Sequence, residues 1–305
     1  MKKYKVLVAD DKKKLYNRAM NNLKNVNNDL IRINKYLSSA GVCSRREADR
    51  LLEAGRVTVD GKILQKGECI NSNAVVFVDG KPVSPESKKI ILIFNKPRGI
   101  VCSTKKQRQE ITVTEYIDYP VRVYPVGRLD KESEGLLILT NQGDLVNRIM
   151  RAGNYHEKEY QVTVDKDITD YFLDNMRCGV PILDTITRRC KVTQTGVRSF
   201  NIVLTQGLNR QIRRMCEYLG YHVCSLKRVR IMNITLGTLK CGEYREIEMD
   251  EEKKLYKLLE HSSSLSLSGS GGENVCKGRK RNERAGSKAQ QGGKSLLSGR
   301  SGDNK

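Results

Sequence analysis

Apolar positions along this chain change their period twice, and each change marks a different kind of element. Ile33, Tyr36 and Leu37 stand at i, i+3 and i+4, which predicts a short helix that Gly41 stops. Ser44-Arg-Arg-Glu47 has the spacing of a capping box, with serine oxygen taking the Glu47 amide and glutamate reaching back, and predicts a second helix to about Ala54. After Gly55 the period falls to two in Val57-Thr-Val59, followed by the hairpin dipeptide Asp60-Gly61; Val76-Phe-Val78 followed by Asp79-Gly80 repeats the device. Residues 30–84 therefore read as a compact unit of two helices and small hairpins. Pro82-Val-Ser-Pro-Glu86, with two prolines in four residues, predicts a linker after it.

From 89 to 260 the pattern lengthens. Ile90-Ile-Leu-Ile-Phe94 and Leu136-Leu-Ile-Leu139 predict core strands, and the strand-rich stretches 187–206 and 222–236 favour hairpins over βαβ units. The expectation is an α+β domain on a substantial, mostly antiparallel sheet. Over 209–219, Ile212, Met215, Cys216 and Leu219 mark one helix face and Arg210, Arg213, Arg214 and Glu217 the other. Residues 1–29 read as an N-terminal extension without an assignable role, and 262–305, rich in Ser, Gly, Lys and Arg, as a disordered basic tail.

Charge narrows the partner. The chain carries 56 Lys and Arg against 35 Asp and Glu, a net +21 at pH 7. The tail holds nine basic and three acidic residues, so most of the excess lies on the folded part. Such density is the electrostatic footprint of a polyanion, nucleic acid first. No run approaches the roughly 18 apolar residues of a membrane span, and the N-terminus lacks a signal peptide's apolar stretch, so a cytoplasmic chain with no membrane partner is expected. Nine scattered cysteines without a CxxC, and three distant histidines, predict reduced, mostly buried thiols and no metal site.

Two sets of motifs carry a family resemblance. Arg32-Ile-Asn-Lys-Tyr-Leu-Ser-Ser-Ala-Gly41, Ser44-Arg-Arg-Glu-Ala48 and Val57-Thr-Val-Asp-Gly61 resemble an S4 RNA-binding domain. The resemblance implies RNA contacts from its basic helical face, with Lys35, Arg45, Arg46 and Arg56 as candidates; a solvated charged face is the plain alternative. The second set centres on Gly127-Arg-Leu-Asp130, a loop between apolar stretches in which Arg128 and Lys131 flank a carboxylate and favour its ionised form. Spacing alone fits a surface ion pair equally well. The longer run through Ser133, Gly135 and Thr140-Asn141 is similar to the signature of the RsuA/RluB/RluF group of pseudouridine synthases. So are Asn95-Lys-Pro-Arg-Gly99, Lys158-Glu-Tyr160, Arg210-Gln-Ile-Arg-Arg-Met215 and, pointing to the RluF-like subgroup, Arg228-Val-Arg-Ile-Met-Asn233.

That resemblance, spanning about 31–249, implies an enzyme that turns uridine into pseudouridine in structured RNA, large-subunit (23S) ribosomal RNA or else tRNA, acting as a monomer. The reaction breaks a C–N glycosidic bond, rotates the uracil and forms a C–C bond to the same sugar. Nothing is added or lost, so no cofactor is expected. The resemblance makes Asp130 the catalytic carboxylate. A flipped base needs a surface to replace lost stacking, and Tyr160, at the rim between core and cleft, is the candidate, with plain core packing as its alternative. Arg213 is implied to hold Asp130, preferred over Arg210, since a guanidinium can grip a carboxylate bidentately. Arg210 and Arg214 would face phosphate, and Arg128 would fill the space left by the flipped base. Two other classes remain open: a non-catalytic ribosome-assembly protein, and a glycosidase, which would need paired carboxylates roughly 5–10 Å apart.

Overall fold

The computed structural model describes residues 30–71, 74–84, 88–103 and 109–262. The extension over 1–29 and the tail beyond Ser262 lie outside the described residues.

The first module runs β1 (Leu30–Arg32), α1 (Ile33–Ser39), α2 (Arg45–Glu53), β2 (Val57–Val59), β3 (Lys62–Ile63), β4 (Cys69–Asn71), β5 (Val76–Val78) and β6 (Lys81–Val83). The helical trio Ile33, Tyr36 and Leu37 packs with Leu51 and Leu52 of α2 and with Val57, Val59 and Val76 of the small sheet. Ser44 caps α2 by accepting the Glu47 N–H at 3.2 Å, but the Glu47 carboxylate turns to Arg50 at 2.7 Å. A charge-assisted partner one turn along thus replaces the second half of the expected box. Asp60-Gly61 and Asp79-Gly80 have positive φ at both positions, as a tight two-residue hairpin requires, and join strands in a sheet ordered β3-β2-β5-β6. Pro82 and Val83 belong to β6 rather than to a linker. The strand lies at the sheet edge, where one side needs no N–H donor.

The second module carries β7 (Ile91–Lys96), α3 (Val113–Ile117), β8 (Tyr124–Pro125), β9 (Glu134–Thr140), α4 (Gly143–Met150), β10 (Lys158–Val164), α5 (Asp170–Cys178), β11 (Pro181–Ile182), β12 (Thr185–Ile186), β13 (Lys191–Gly196), β14 (Ser199–Leu204), α6 (Gln211–Tyr218), β15 (Val223–Ile231), β16 (Ile234–Thr235), β17 (Tyr244–Glu246) and α7 (Met249–Leu259). Its main sheet is ordered β13-β14-β10-β15-β9-β7-β17. Strands β7 and β9 are buried on both faces, which explains their unbroken apolar runs. One face packs Ile93, Leu136 and Ile138 with residues of α4 and α7, while the other packs Phe94, Leu137 and Leu139 with α3. On the far half of the sheet, Phe172 and Met176 of α5 and Ile212 and Met215 of α6 cover Val162, Phe200 and Ile202. The fold is α+β with a mostly antiparallel sheet, as the pattern implies. Eight cysteines are described as free thiols, yet only Cys216 is buried; Cys69, Cys178, Cys224 and Cys241 are exposed, correcting the expectation of mostly buried thiols. Cys69, for example, occupies the outward face of β4 beside the buried Ile70.

The two halves of the large sheet meet where β9 and β15 run parallel, Glu134 opposite Lys227 and Gly135 opposite Arg228. Gly135 has φ +103°, and a Cβ there would lie 2.3 Å from the Arg228 carbonyl oxygen and 2.8 Å from its nitrogen. Neither backbone can yield without parting the strands. Gly135→Ala is expected to destabilise the protein by more than about 2 kcal/mol in chemical denaturation, beyond the usual range for a glycine-to-alanine change.

Candidate active site

The segment between β8 and β9 folds as a loop gripped from below. Gly127 (φ +79°) presses against α4, where a Cβ would meet Met150 Cε at 2.4 Å. Leu129 is buried and its N–H donates to Cys102 Sγ at 3.3 Å, and the Ser133 N–H closes a turn on the Asp130 carbonyl at 3.0 Å. Beneath the turn sits Lys96, the last residue of β7, with no solvent exposure. Its ammonium reaches the carbonyls of Pro97 and Ser133 at 2.9 Å each, of Asp130 at 3.3 Å and of Lys131 at 3.5 Å. Burial pushes the Lys96 ammonium below the usual lysine value, against an opposing pull from Cys102 and Asp130. The main chain at Asp130 is thereby tied to the core side. Its side chain, 35% exposed, faces a cleft.

That cleft measures about 670 Å³, within the range of ligand sites, and is lined by Arg128, Asp130, Lys158, Tyr160, Arg210 and Arg228 among others. Asp130 is the sole carboxylate among the described residues that line it. Arg210 Nη1 lies 3.6 Å from Asp130 Oδ2, an ion contact just beyond hydrogen-bond length. The expected pairing with Arg213 is therefore replaced by one with Arg210. Arg213 is only 8% exposed and its Nη1 donates to the Val223 carbonyl at 3.2 Å, away from the cleft. The cause is local: Arg210 stands before α6 in the left-handed conformation (φ 50°, ψ 36°), so its side chain leaves the chain in a direction a helical wheel does not give. Gln211 fixes this entry, its Oε1 accepting the Leu208 N–H at 3.1 Å. Arg214, expected to face phosphate, folds back to donate to the Asn209 carbonyl at 3.2 Å and does not line the cleft.

Arg128 is exposed on the cleft wall, and Tyr160 is half-buried, opposite Arg228 of β15 and Ile202 of β14. Among the S4-side candidates, Lys35 pairs with Asp144 at 2.9 Å and Arg56 forms a two-pronged pair with Asp79 at 2.7 and 2.5 Å. Arg45 and Arg46 are exposed on α2, and none of the four lines the cleft.

Reading the sequence for sites missed three cations: Lys96, Lys158 and Arg228. The signal available was a charged residue at an inward position of a strand. Arg228 is 1% exposed, its Nε donating to the Leu136 carbonyl at 2.7 Å, and Lys158 is 4% exposed, its Nζ donating to the His156 carbonyl at 3.0 Å. Burial, then repulsion from Arg228, lowers Lys158 from 10.5 to about 8. The folded value lies below the unfolded one, so the unfolded chain holds the proton more tightly and the folded protein bears a penalty of about 3 kcal/mol whenever Lys158 is charged. That penalty is full below pH 8 and fades as pH rises towards 10.5. The stability of Lys158→Met relative to wild type is therefore expected to improve by about 2–3 kcal/mol on going from pH 10 to pH 6.5, read from urea midpoints.

The sequence profile of RNA pseudouridylate synthases matches residues 90–218, and that of the S4 domain residues 31–68. The dual-specificity RNA pseudouridine synthase RluF of Escherichia coli strain K12 is 51% identical over 236 residues, covering 77% of this chain and 81% of that protein. The ribosomal large subunit pseudouridine synthase B of Bacillus subtilis strain 168 is 31% identical over 243 residues, covering 76% and 98%. The crystal structure of a pseudouridylate synthase superposes with a TM-score of 0.56 at 25% identity, over 74% of this chain and 99% of the other. An S4 domain followed by this sheet and cleft, with identity above one half to RluF proteins, places the chain in the RNA pseudouridine synthase family, in its RluF-like group.

Proposed function

We propose that the enzyme isomerises one uridine in folded large-subunit ribosomal RNA, with Asp130 as its catalytic carboxylate. The observation that carries this reading is a single carboxylate in a cleft that also holds five cationic side chains, Arg128, Lys131, Lys158, Arg210 and Arg228, with Arg210 at 3.6 Å and Lys96 holding the loop from behind. A uridine stacked in RNA is out of reach of such a group and must swing out of the helix. Tyr160 offers the flipped uracil an aromatic surface. Arg128, exposed beside Asp130, is placed to fill the gap that the base leaves. Arg210 orients the carboxylate by charge. Arg45 and Arg46 present α2 of the S4 domain to the phosphate backbone, a contact that holds folded RNA without reading its sequence.

The name of the Bacillus relative supports a ribosomal substrate, and the dual specificity in the RluF name favours a second reading in which a tRNA uridine is also modified. A hydrolytic glycosidase would need a second acid across the cleft. Glu132 and Glu134, the nearest carboxylates in sequence, do not line it, and Glu134 faces Arg98 at 3.5 Å.

Asp130→Asn is expected to abolish pseudouridine formation while RNA affinity stays within about threefold, because phosphate contacts dominate binding. Carbodiimide-dependent reverse-transcription stops in large-subunit rRNA and tRNA, compared between a deletion strain and the strain carrying either allele, check this. A site restored by Asp130→Asn refutes the assignment. Arg210→Ala should slow single-turnover conversion by about a hundredfold, the loss of roughly 3 kcal/mol of orientation and charge, with stability kept. Arg213→Ala should do the reverse, costing about 1–3 kcal/mol of stability by stripping the Val223 carbonyl of its buried donor.

A further inference from the structure

Two buried cations remain once Asp130, Arg210, Arg128 and Tyr160 have their roles. Lys158 lies two residues from Tyr160 on the same face of β10, and Arg228 sits directly across from Tyr160 on β15. Both line the cleft and both are almost sealed from solvent. Neither has a carboxylate partner among the described ion pairs. Each uses one N–H on a backbone carbonyl, and Arg228 Nη2 is buried with no hydrogen-bond partner among the described residues. Uncompensated buried charge is expensive, and its concentration at a cleft marks a place where opposite charge arrives.

The reaction generates such charge. When the C1′–N1 bond breaks, its electron pair stays with the uracil and spreads from N1 onto the ring carbonyl oxygens, while the deficit at C1′ faces the Asp130 carboxylate. When C5 returns a pair to C1′, the C5 proton leaves and N1 gains one, so atoms and charge balance. We propose that Lys158 is a catalytic group for the departing base, its ammonium donating a hydrogen bond to a uracil carbonyl oxygen as the glycosidic bond breaks. Arg228 stands behind it and adds positive field. Donors fixed in advance where charge develops act strongly because nothing has to reorganise.

The inference rests on the reading of Asp130 as the carboxylate of the same cleft. The charged groups that share the cleft with Lys158 are Arg228 from β15, Asp130, Arg128 and Lys131 from the loop and Arg210 from the head of α6, with Lys96 beneath the loop; on its own segment stand His156, Glu157 and Glu159, both glutamates paired with Arg230. Asp130 is the sole carboxylate among the described residues that line the cleft. With Lys158 at about 8, loss of its proton falls inside an accessible window.

Pseudouridine formation measured from pH 6.5 to 9.5, with RNA in excess of neither its Kd nor the enzyme, tests the assignment. The wild-type rate constant is expected to fall towards tenfold per pH unit above about pH 8, as required for a donor that must be protonated. Lys158→Met, its fold checked by circular dichroism and urea unfolding, should be at least about a hundredfold slower at pH 7, lack the alkaline limb and bind RNA within about threefold of wild type. A Lys158→Met enzyme near the wild-type rate, or one whose loss of rate is matched by loss of RNA affinity, overturns the proposal. Asp130→Asn run alongside separates the two readings. If it is inactive while Lys158→Met is active, only the role of Lys158 fails, whereas an active Asp130→Asn removes the basis for both.

Discussion

The buried ammonium of Lys96 is the point on which the site depends. An aspartate on a surface loop has many rotamers and little reason to face a cleft. Here the loop's carbonyls at Asp130, Lys131 and Ser133, with that of Pro97, converge on one desolvated cation at the end of a core strand. Hydrogen bonds to a charged donor are stronger than neutral ones, and a low-dielectric setting strengthens them further. The loop is thus built around a charge, and the side chain of its central residue is left pointing the other way.

The same economy governs the opposite wall. β10 and β15 present core residues at Val162 and Leu226, and then, one step further along each strand face, Tyr160 and Arg228. The same sheet therefore changes from packing surface to cleft wall without a change of secondary structure. The sheet sets Tyr160 against Arg228 beside a β-bulge, where the pairing slips by one residue between Glu159 and Tyr160, and such bulges re-aim side chains. Arg128 and Arg210 are supplied from the loop and the helix entry.

Much of this was legible in the order of residues. The helical trio of α1, the Asp-Gly hairpins and the doubly apolar strands β7 and β9 follow from local rules that tertiary structure had no cause to override. Pro82 shows the limit: whether a proline ends a strand or lies on its open edge depends on which strand comes to its other side. Asp130 and Tyr160 were recognisable through motif likeness, and the structure brings them to one cleft. The pairing of Asp130 with Arg213 was implied by motif likeness, which carries no backbone conformation; in the structure the left-handed Arg210 sends its own side chain to Asp130 instead. Lys96, Lys158 and Arg228 were invisible as a group because their acceptors are main-chain oxygens, in the cases of Ser133 and Leu136 far away in sequence, and a carbonyl leaves no trace in side-chain pattern.

The parallel seam between β9 and β15 has a bearing on when activity arises. Asp130 comes from one side of that seam, Tyr160, Arg210 and Arg228 from the other, and the strand that closes it, β15, is supplied nearly a hundred residues after the loop. Contacts of such long separation form late, because chain entropy must be surrendered before they reward it. During synthesis the growing polypeptide therefore holds a carboxylate loop and a basic N-terminal module before it holds a working centre. Capture of RNA can precede completion of the cleft, since β15 supplies part of its wall.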